Sequence, residues 1–384
     1  MIDELKKALK VKKHPGMSRS SSLPQLAMQA LPYMTSREGK AKVPLTIYWG
    51  VNSVCNLRCK MCDVGNVNAE SNFFANLRID GKLHEIKIER FRAVIDEVAH
   101  EKPMISITST EPLMYKPLGE AVAYARSKDL NVAVTTGGYT LPKRAEELAE
   151  AGLNHLCVSI DGPPDLHNMI RGRADSFQKS VEGIHMFREA TKRLGKKAEV
   201  LINFTITNMN YDRLEDFYDA MKDVPVDRIN FTYMTFVDHT MADEHNALWG
   251  EKYHATVNCL NADTDPARVD VKVLYEQKEA VKRKDAGTGR VTFLPDFPLE
   301  DLERYFLKPG EFMSHSRCMV SWFIAEIIAS GEVIPYTRCY HVPFGNINDD
   351  SFTDIWNGQK ALAWRRELRE ERRFPGCKRC DLVY

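Results

Sequence analysis

The sequence has no excess of either charge and no long apolar run. Its 384 residues carry 53 Lys and Arg against 53 Asp and Glu, so the formal net charge is zero. Such a balance offers no electrostatic footprint for a polyanion, and nucleic acid is not an expected partner. The most apolar stretch, Trp322-Phe323-Ile324-Ala325-Glu326-Ile327-Ile328-Ala329, is too short for a membrane span and holds a glutamate. The opening residues, MIDELKKALKVKK, are charged from the third position and lack the apolar core of a secretory signal. Together these absences predict a cytoplasmic protein with no transmembrane segment.

What stands out instead is cysteine, nine in all. A reducing compartment disfavours disulfides, so thiols there point to metal or redox chemistry. Three lie within eight residues, in Cys55-Asn56-Leu57-Arg58-Cys59-Lys60-Met61-Cys62, spaced C-x3-C-x2-C. Four more, Cys318, Cys339, Cys377 and Cys380, fall near the C-terminus, and Cys157 and Cys259 stand alone.

Four segments are expected. Residues 1–43 read as an N-terminal extension with a Ser/Pro-rich break at residues 18–24 and a short amphipathic stretch, Leu26-Ala27-Met28-Gln29-Ala30-Leu31. That stretch is expected to pack as a helix on the main body. Residues 44–238 alternate strand and helix patterns about six times, with strand-like runs at 45–51, 104–108, 130–135, 155–160, 199–204 and 228–233. Between the first two, Ile88, Phe91, Ile95 and Val98 recur at the helical period. Strands alternating with helices pair in parallel through crossovers, which predicts an α/β fold, a partial (β/α)6 TIM-type barrel. Residues 239–310 read as a bridge with an amphipathic helix from Asp270 to Val281. Residues 311–384 form a small α+β domain, with a hairpin strand at Gly331-Glu332-Val333-Ile334-Pro335 and a helix start at Ser351-Phe352-Thr353-Asp354.

In such folds function sits at the C-terminal ends of the strands. The three-cysteine loop follows the first strand, Ser109-Thr110-Glu111-Pro112 the second and Thr136-Gly137-Gly138 the third, while Asp161-Gly162 ends the fourth. All are therefore expected on one face.

Three thiolates on a short loop leave a tetrahedral zinc site one ligand short. In a four-iron cluster, each iron takes one thiolate, and three cysteines leave one iron open to a small molecule. The loop resembles the signature of the radical S-adenosylmethionine (AdoMet) enzymes. The resemblance implies that Cys55, Cys59 and Cys62 hold a [4Fe-4S] cluster whose open iron is chelated by AdoMet. An electron then cleaves AdoMet, and the resulting 5′-deoxyadenosyl radical removes a hydrogen atom from substrate. Thr110, Glu111 and Pro112 occupy the place of the family's Gly-Gly-Glu-Pro segment, with Ser109 and Thr110 replacing both glycines. By the same resemblance Glu111 meets the AdoMet amino group, with Thr110, Thr136 and Gly137 in the same pocket. Ser159 and Asp161 meet its ribose, and Met61 lies beside its adenine. His167-Asn168-Met169-Ile170-Arg171-Gly172 matches a stretch of the subgroup with a C-terminal cluster domain, and Arg171 is read as an ion-pair or carbonyl partner.

The late cysteines resemble that domain, called SPASM or, in its shorter form, Twitch. The shorter form implies one auxiliary [4Fe-4S] cluster on Cys318, Cys339, Cys377 and Cys380. The sequence departs from the pattern in having Tyr336 where the family places a cysteine, with Cys339 three residues later. Taken alone, the four thiols also suit zinc.

A closed auxiliary site predicts electron transfer and a net oxidation of a small-molecule, peptide or lipid substrate, with flavodoxin or ferredoxin as electron donor. An epimerase or a maturase is the alternative, Cys157 or Cys259 serving as hydrogen donor in the former. A zinc-stabilised scaffold is the rival of another class. Arg365, Arg366, Arg369, Arg372, Arg373, Lys378 and Arg379 read as a solvated basic face, or as a docking surface for an acidic electron carrier.

Overall fold

The computed structural model describes residues 23–77, 81–314, 316–336 and 339–380. Most of the Ser/Pro-rich break at 18–24 therefore lies outside the described residues.

One sheet of ten strands organises the chain, in the order β10-β9-β8-β1-β2-β3-β4-β5-β6-β7. The strands are β1 (Thr46–Trp49), β2 (Met104–Ile107), β3 (Val132–Thr136), β4 (His155–Ser159), β5 (Glu199–Ile206), β6 (Arg228–Tyr233), β7 (Val291–Leu294), β8 (Ile324–Ile327), β9 (Glu332–Pro335) and β10 (Gly345–Asn346). From β1 to β7 each strand pairs in parallel with the next, so a crossover helix or helices must cover the sheet between successive strands. The helix Ile88–Val98 does this between β1 and β2, burying Phe91, Val94, Ile95 and Val98.

The strand sequences specify two different faces. Ile105 and Ile107, Val132 and Val134, Leu156 and Val158, and Ile202 and Phe204 are fully buried. They alternate with the small or polar Ser106, Ala133, Thr135, Cys157, Ser159, Asn203 and Thr205, which line one internal cavity together with Tyr48 and Thr232. The period of two puts large apolar groups on one face and small polar groups on the other. Six successive strands curve around the cavity, forming the partial barrel.

Three strands, β7, β8 and the two-residue β10, stand beyond the six barrel strands and the hairpin strand expected. β7 lies in the segment read as a bridge, where a four-residue strand next to a charged helix leaves little periodic signal. β8 carries Glu326 at its centre and pairs in parallel with β1, Tyr48 opposite Glu326. β9 is the expected hairpin strand, antiparallel to β8. The helix Phe352–Trp356 starts as expected, with the Ser351 side chain accepting from the Asp354 amide.

The N-terminal stretch forms the helix Leu23–Thr35 and packs on the main body. Gln29 Nε2 donates to the carbonyls of Val43 and Trp322, and Tyr33 meets Trp322 edge-on at 4.9 Å.

Three members of the late basic run, Arg365, Lys378 and Arg379, are buried and not part of a solvated face. Arg365 is fully buried, donates to Ser321 O and Gly39 O, and lies 4.0 Å over the Trp356 ring. Arg379 is also buried and donates to the carbonyls of Arg304, Tyr305 and Lys308 at the end of the helix Leu299–Leu307. Its fork of donors caps the helix terminus, adding a side-chain donor to the Arg304 and Lys308 carbonyls, which also accept backbone amides, and bonding the Tyr305 carbonyl. Lys378 is buried and pairs with Glu244. Arg372 is exposed, and Arg366, Arg369 and Arg373 are partly exposed.

Candidate active site

The cavity has a volume of about 400 Å³ and is lined by side chains from the strand ends, the three-cysteine loop and the C-terminal segment. Every cysteine of the chain reaches it, the early three, the late four, Cys157 and Cys259 alike. The sequence placed the first three at a strand end; it gave no sign that the two sets share one space.

The early loop is held from three sides. Gly65 packs so closely under it that a Cβ there would lie 2.4 Å from Cys59 O, which explains a glycine at that position. The segment 170–171 runs beside it, with Lys60 N donating to Ile170 O and Arg58 N to Arg171 O. From the bridge, Asn261 Nδ2 donates to Lys60 O, and the Cys259 amide donates to the buried carboxylate of Asp63. Asp63 is fixed in turn by Ser71 Oγ at 2.6 Å.

Arg171 carries more than the sequence reading gave it. It is buried, its Nη1 lies 3.6 Å from Cys59 Sγ, and its Nη2 pairs with Asp161 Oδ2 at 2.5 Å. Burial raises the Asp161 carboxyl and the Arg171 charge opposes this. Asp161 also accepts from the Thr205 amide. Ser159 lines the cavity, whereas Asp161 lies fully buried beside it with its carboxylate engaged by protein groups.

Glu111, Thr136 and Gly137 come together as one network. Glu111 Oε1 accepts from Thr136 Oγ1 at 2.6 Å and from the Leu113 amide, and Oε2 accepts from the Gly137 amide at 2.9 Å. Burial raises the Glu111 carboxyl, and these donors work against it by favouring the charged form. Thr110 Oγ1 donates to Asn52 O, and Asn52 Nδ2 to Glu111 O. Met61, Thr110, Glu111, Thr136 and Gly137 all line the cavity. Ser109 keeps the left-handed backbone, φ 84°, that a glycine would adopt freely.

The late cysteines gather around Tyr340. Its hydroxyl lies 3.3 Å from Cys377 Sγ, and burial, aided by the neighbouring Cys377, Cys339 and Cys380, pushes its pKa well above the usual tyrosine value, while burial beside Cys377 pushes Cys318 up. Tyr336 lines the cavity and stacks on Tyr48 at 4.3 Å. Asn72, just past the early loop, donates to Cys339 O at 2.9 Å and ties the two sets together.

Burial raises the thiols to about 12 in Cys55 and Cys318 and about 11 in Cys59 and Cys157. Such thiols keep their protons at neutral pH unless a metal draws out the thiolate. The donor sets, three and four sulfurs, fit soft iron centres.

Comparison with known proteins agrees with this chemistry. Residues 51–221 match the radical SAM superfamily, and residues 318–381 match the SPASM iron-sulfur cluster-binding domain. The Fe-coproporphyrin III synthase of Methanosarcina barkeri is 25% identical over 337 residues, covering 85% of this chain and 76% of that protein. Streptococcus suis SuiB bound to S-adenosylmethionine shares the fold with a TM-score of 0.57 at 14% identity, over 90% of this chain and 72% of that one. The structure described as native anSMEcpe with bound AdoMet gives 0.56 at 17% identity, over 83% and 82%. Among the described residues no helix is long and apolar enough to cross a membrane.

Proposed function

We propose that this chain, a radical SAM superfamily enzyme with a SPASM iron-sulfur domain, oxidises a substrate carbon held between its two cysteine sets. The observation that carries the reading is that both sets line one cavity. Cys55, Cys59 and Cys62 would hold a [4Fe-4S] cluster that binds AdoMet, and Cys318, Cys339, Cys377 and Cys380 would hold an auxiliary [4Fe-4S] cluster. When bound, these groups supply one-electron cleavage of AdoMet, removal of a hydrogen atom from substrate, and uptake of the second electron as a proton leaves. The sum for the substrate is a two-electron oxidation.

The chain's own residues position the reactants. Glu111, aligned by Thr136 and the Gly137 amide, accepts from the AdoMet ammonium group in a charge-assisted bond. Thr110 and Ser159 supply hydroxyls to its polar groups, and Met61 presents a polarizable surface to the adenine. Asp161 acts through Arg171, which holds its guanidinium against Cys59. The small polar inner face of β2 to β6 leaves room for the reacting part of a small molecule, peptide or lipid. Flavodoxin or ferredoxin supplies the first electron.

Both lone cysteines line the cavity, and this favours one second reading: stereochemical inversion, with Cys157 or Cys259 returning a hydrogen atom. Solvent deuterium on the product carbon would mark inversion, and its absence would mark oxidation.

The test is anaerobic reconstitution, iron and sulfide counting, and incubation with AdoMet and a strong reductant. About eight irons per chain and formation of 5′-deoxyadenosine are expected. Zinc without sulfide, or no 5′-deoxyadenosine, would sink the proposal. The names of the relatives, an Fe-coproporphyrin III synthase and an AdoMet-dependent heme synthase, give iron tetrapyrroles as products, which makes an iron tetrapyrrole the first substrate class to add.

A further inference from the structure

Tyr340 is placed as a hydrogen-bond donor to one sulfur of the late set. It is 1% exposed, its ring stacks on His245 at 4.5 Å with an interplanar angle of 20°, and Phe374 and Trp364 close in from the sides. Its backbone forms an antiparallel bridge to Ala255. With ring and backbone fixed, the hydroxyl has little freedom, and it lies 3.3 Å from Cys377 Sγ. Gly376 makes the approach feasible: a Cβ at that position would sit 2.7 Å from Tyr340 Oη. Among the described residues Cys377 is the partner recorded for this hydroxyl.

Either atom could donate while Cys377 is a thiol. Once the sulfur is a metal-bound thiolate, only the tyrosine carries a proton to give. A bond of this kind strengthens as negative charge accumulates on the sulfur, so it favours the reduced form of whatever the thiolates hold.

We propose that the Tyr340 hydroxyl, delivered to Cys377 Sγ across the gap that Gly376 leaves open, raises the reduction potential of the auxiliary cluster and makes it a better electron acceptor. This rests on the reading that Cys377 is a ligand of that cluster. Tyr340 is a positioning residue in this role, because it acts on the ligand and not on substrate.

The test compares full-length wild type with Tyr340→Phe, which keeps the stacked ring and removes only the hydroxyl. Both are reconstituted anaerobically, counted for iron and sulfide, and titrated redox-wise with electron paramagnetic resonance as the readout. The same pair is made with Cys55, Cys59 and Cys62 replaced by alanine, so that the auxiliary signal is seen alone. The expected result is unchanged iron content with an auxiliary midpoint moved to more negative potential. A shift equivalent to about a tenfold change in the reduced-to-oxidised ratio is about 59 mV for one electron. The midpoint of the other cluster should stay fixed. An unmoved auxiliary midpoint overturns the proposal, as does loss of the cluster in Tyr340→Phe, which would make the hydroxyl a structural requirement. If the triple-alanine chain holds no iron at all, the ligand reading itself has failed and takes the proposal with it.

Discussion

The hydroxyl of Ser109 donates to Oε1 of Glu326 at 3.0 Å, joining the loop after β2 to a strand of the C-terminal segment. Ser109 does so from φ 84°, a backbone state that costs an L-residue roughly 1–2 kcal/mol relative to glycine. The side-chain bond offsets that cost. Ser109→Ala should therefore lower stability by about 1–3 kcal/mol, since the bond goes and the backbone strain stays. Ser109→Gly loses the bond but also the strain, and should be more stable than Ser109→Ala by about 1–2 kcal/mol. Denaturant midpoints of the two variants, measured anaerobically, check the order; equal midpoints would contradict it.

Arg171 and Asp161 form a buried ion pair, with side-chain exposures of 11% and 0%. Removing one partner strands the other, so Arg171→Ala should cost about 3–5 kcal/mol. Replacing both, as in Arg171→Met with Asp161→Asn, should cost less than the sum of the single changes. A double-mutant cycle in urea gives the coupling, and additive values would mean that the pair contributes nothing.

Cys339 and Tyr336 make competing claims on one auxiliary ligand position. If Cys339 is the ligand, Cys339→Ala should lose about four irons per chain. Tyr336→Phe preserves the stacking on Tyr48 and should lose none. Iron analysis after anaerobic reconstitution distinguishes the two.

His167 sets a pH dependence. It is fully buried, its Nδ1 accepts from the Asp161 amide at 3.1 Å, and Nε2 faces Ser176 Oγ at 3.1 Å. Burial, aided by the Arg171 charge, holds its pKa well below 6.5 in the folded chain. Between that lowered value and the unfolded value near 6.5 the unfolded chain binds the extra proton, so stability falls as pH falls through this window. The slope for one group approaches about 1.4 kcal/mol per pH unit. His167→Asn should flatten the decline in melting temperature between pH 6.5 and 5, and an unchanged slope would place its origin elsewhere.

Strands β1 to β6 were legible in the sequence because each is an apolar run in a repeating βα pattern. The positions of Cys55 and Glu111 in loops after strands, and of Thr136 and Ser159 at strand C-terminal ends, followed from that order. What could not be read depends on tertiary pairing. β8 carries a glutamate whose partner, Ser109, lies 217 positions away in the chain. Arg365 and Arg379 look like surface charges until the carbonyls that they satisfy are brought to them. Arg171 was legible as an ion-pair partner, but its approach to Cys59 required the chain to return across 112 positions. A weaker signal was present in the small polar residues alternating with large apolar ones along β2 to β5. Read by period, they mark the inner wall of the cavity.

The parallel pairing of β8 with β1 has a practical consequence for anyone dissecting the molecule. A chain cut near residue 310 would not release a self-contained barrel. It would bare the backbone groups of Thr46 to Trp49, a ready template for strand addition by a second molecule. Truncations intended to isolate the early cysteine loop should self-associate, and the two cysteine sets are better separated by substitution than by scissors.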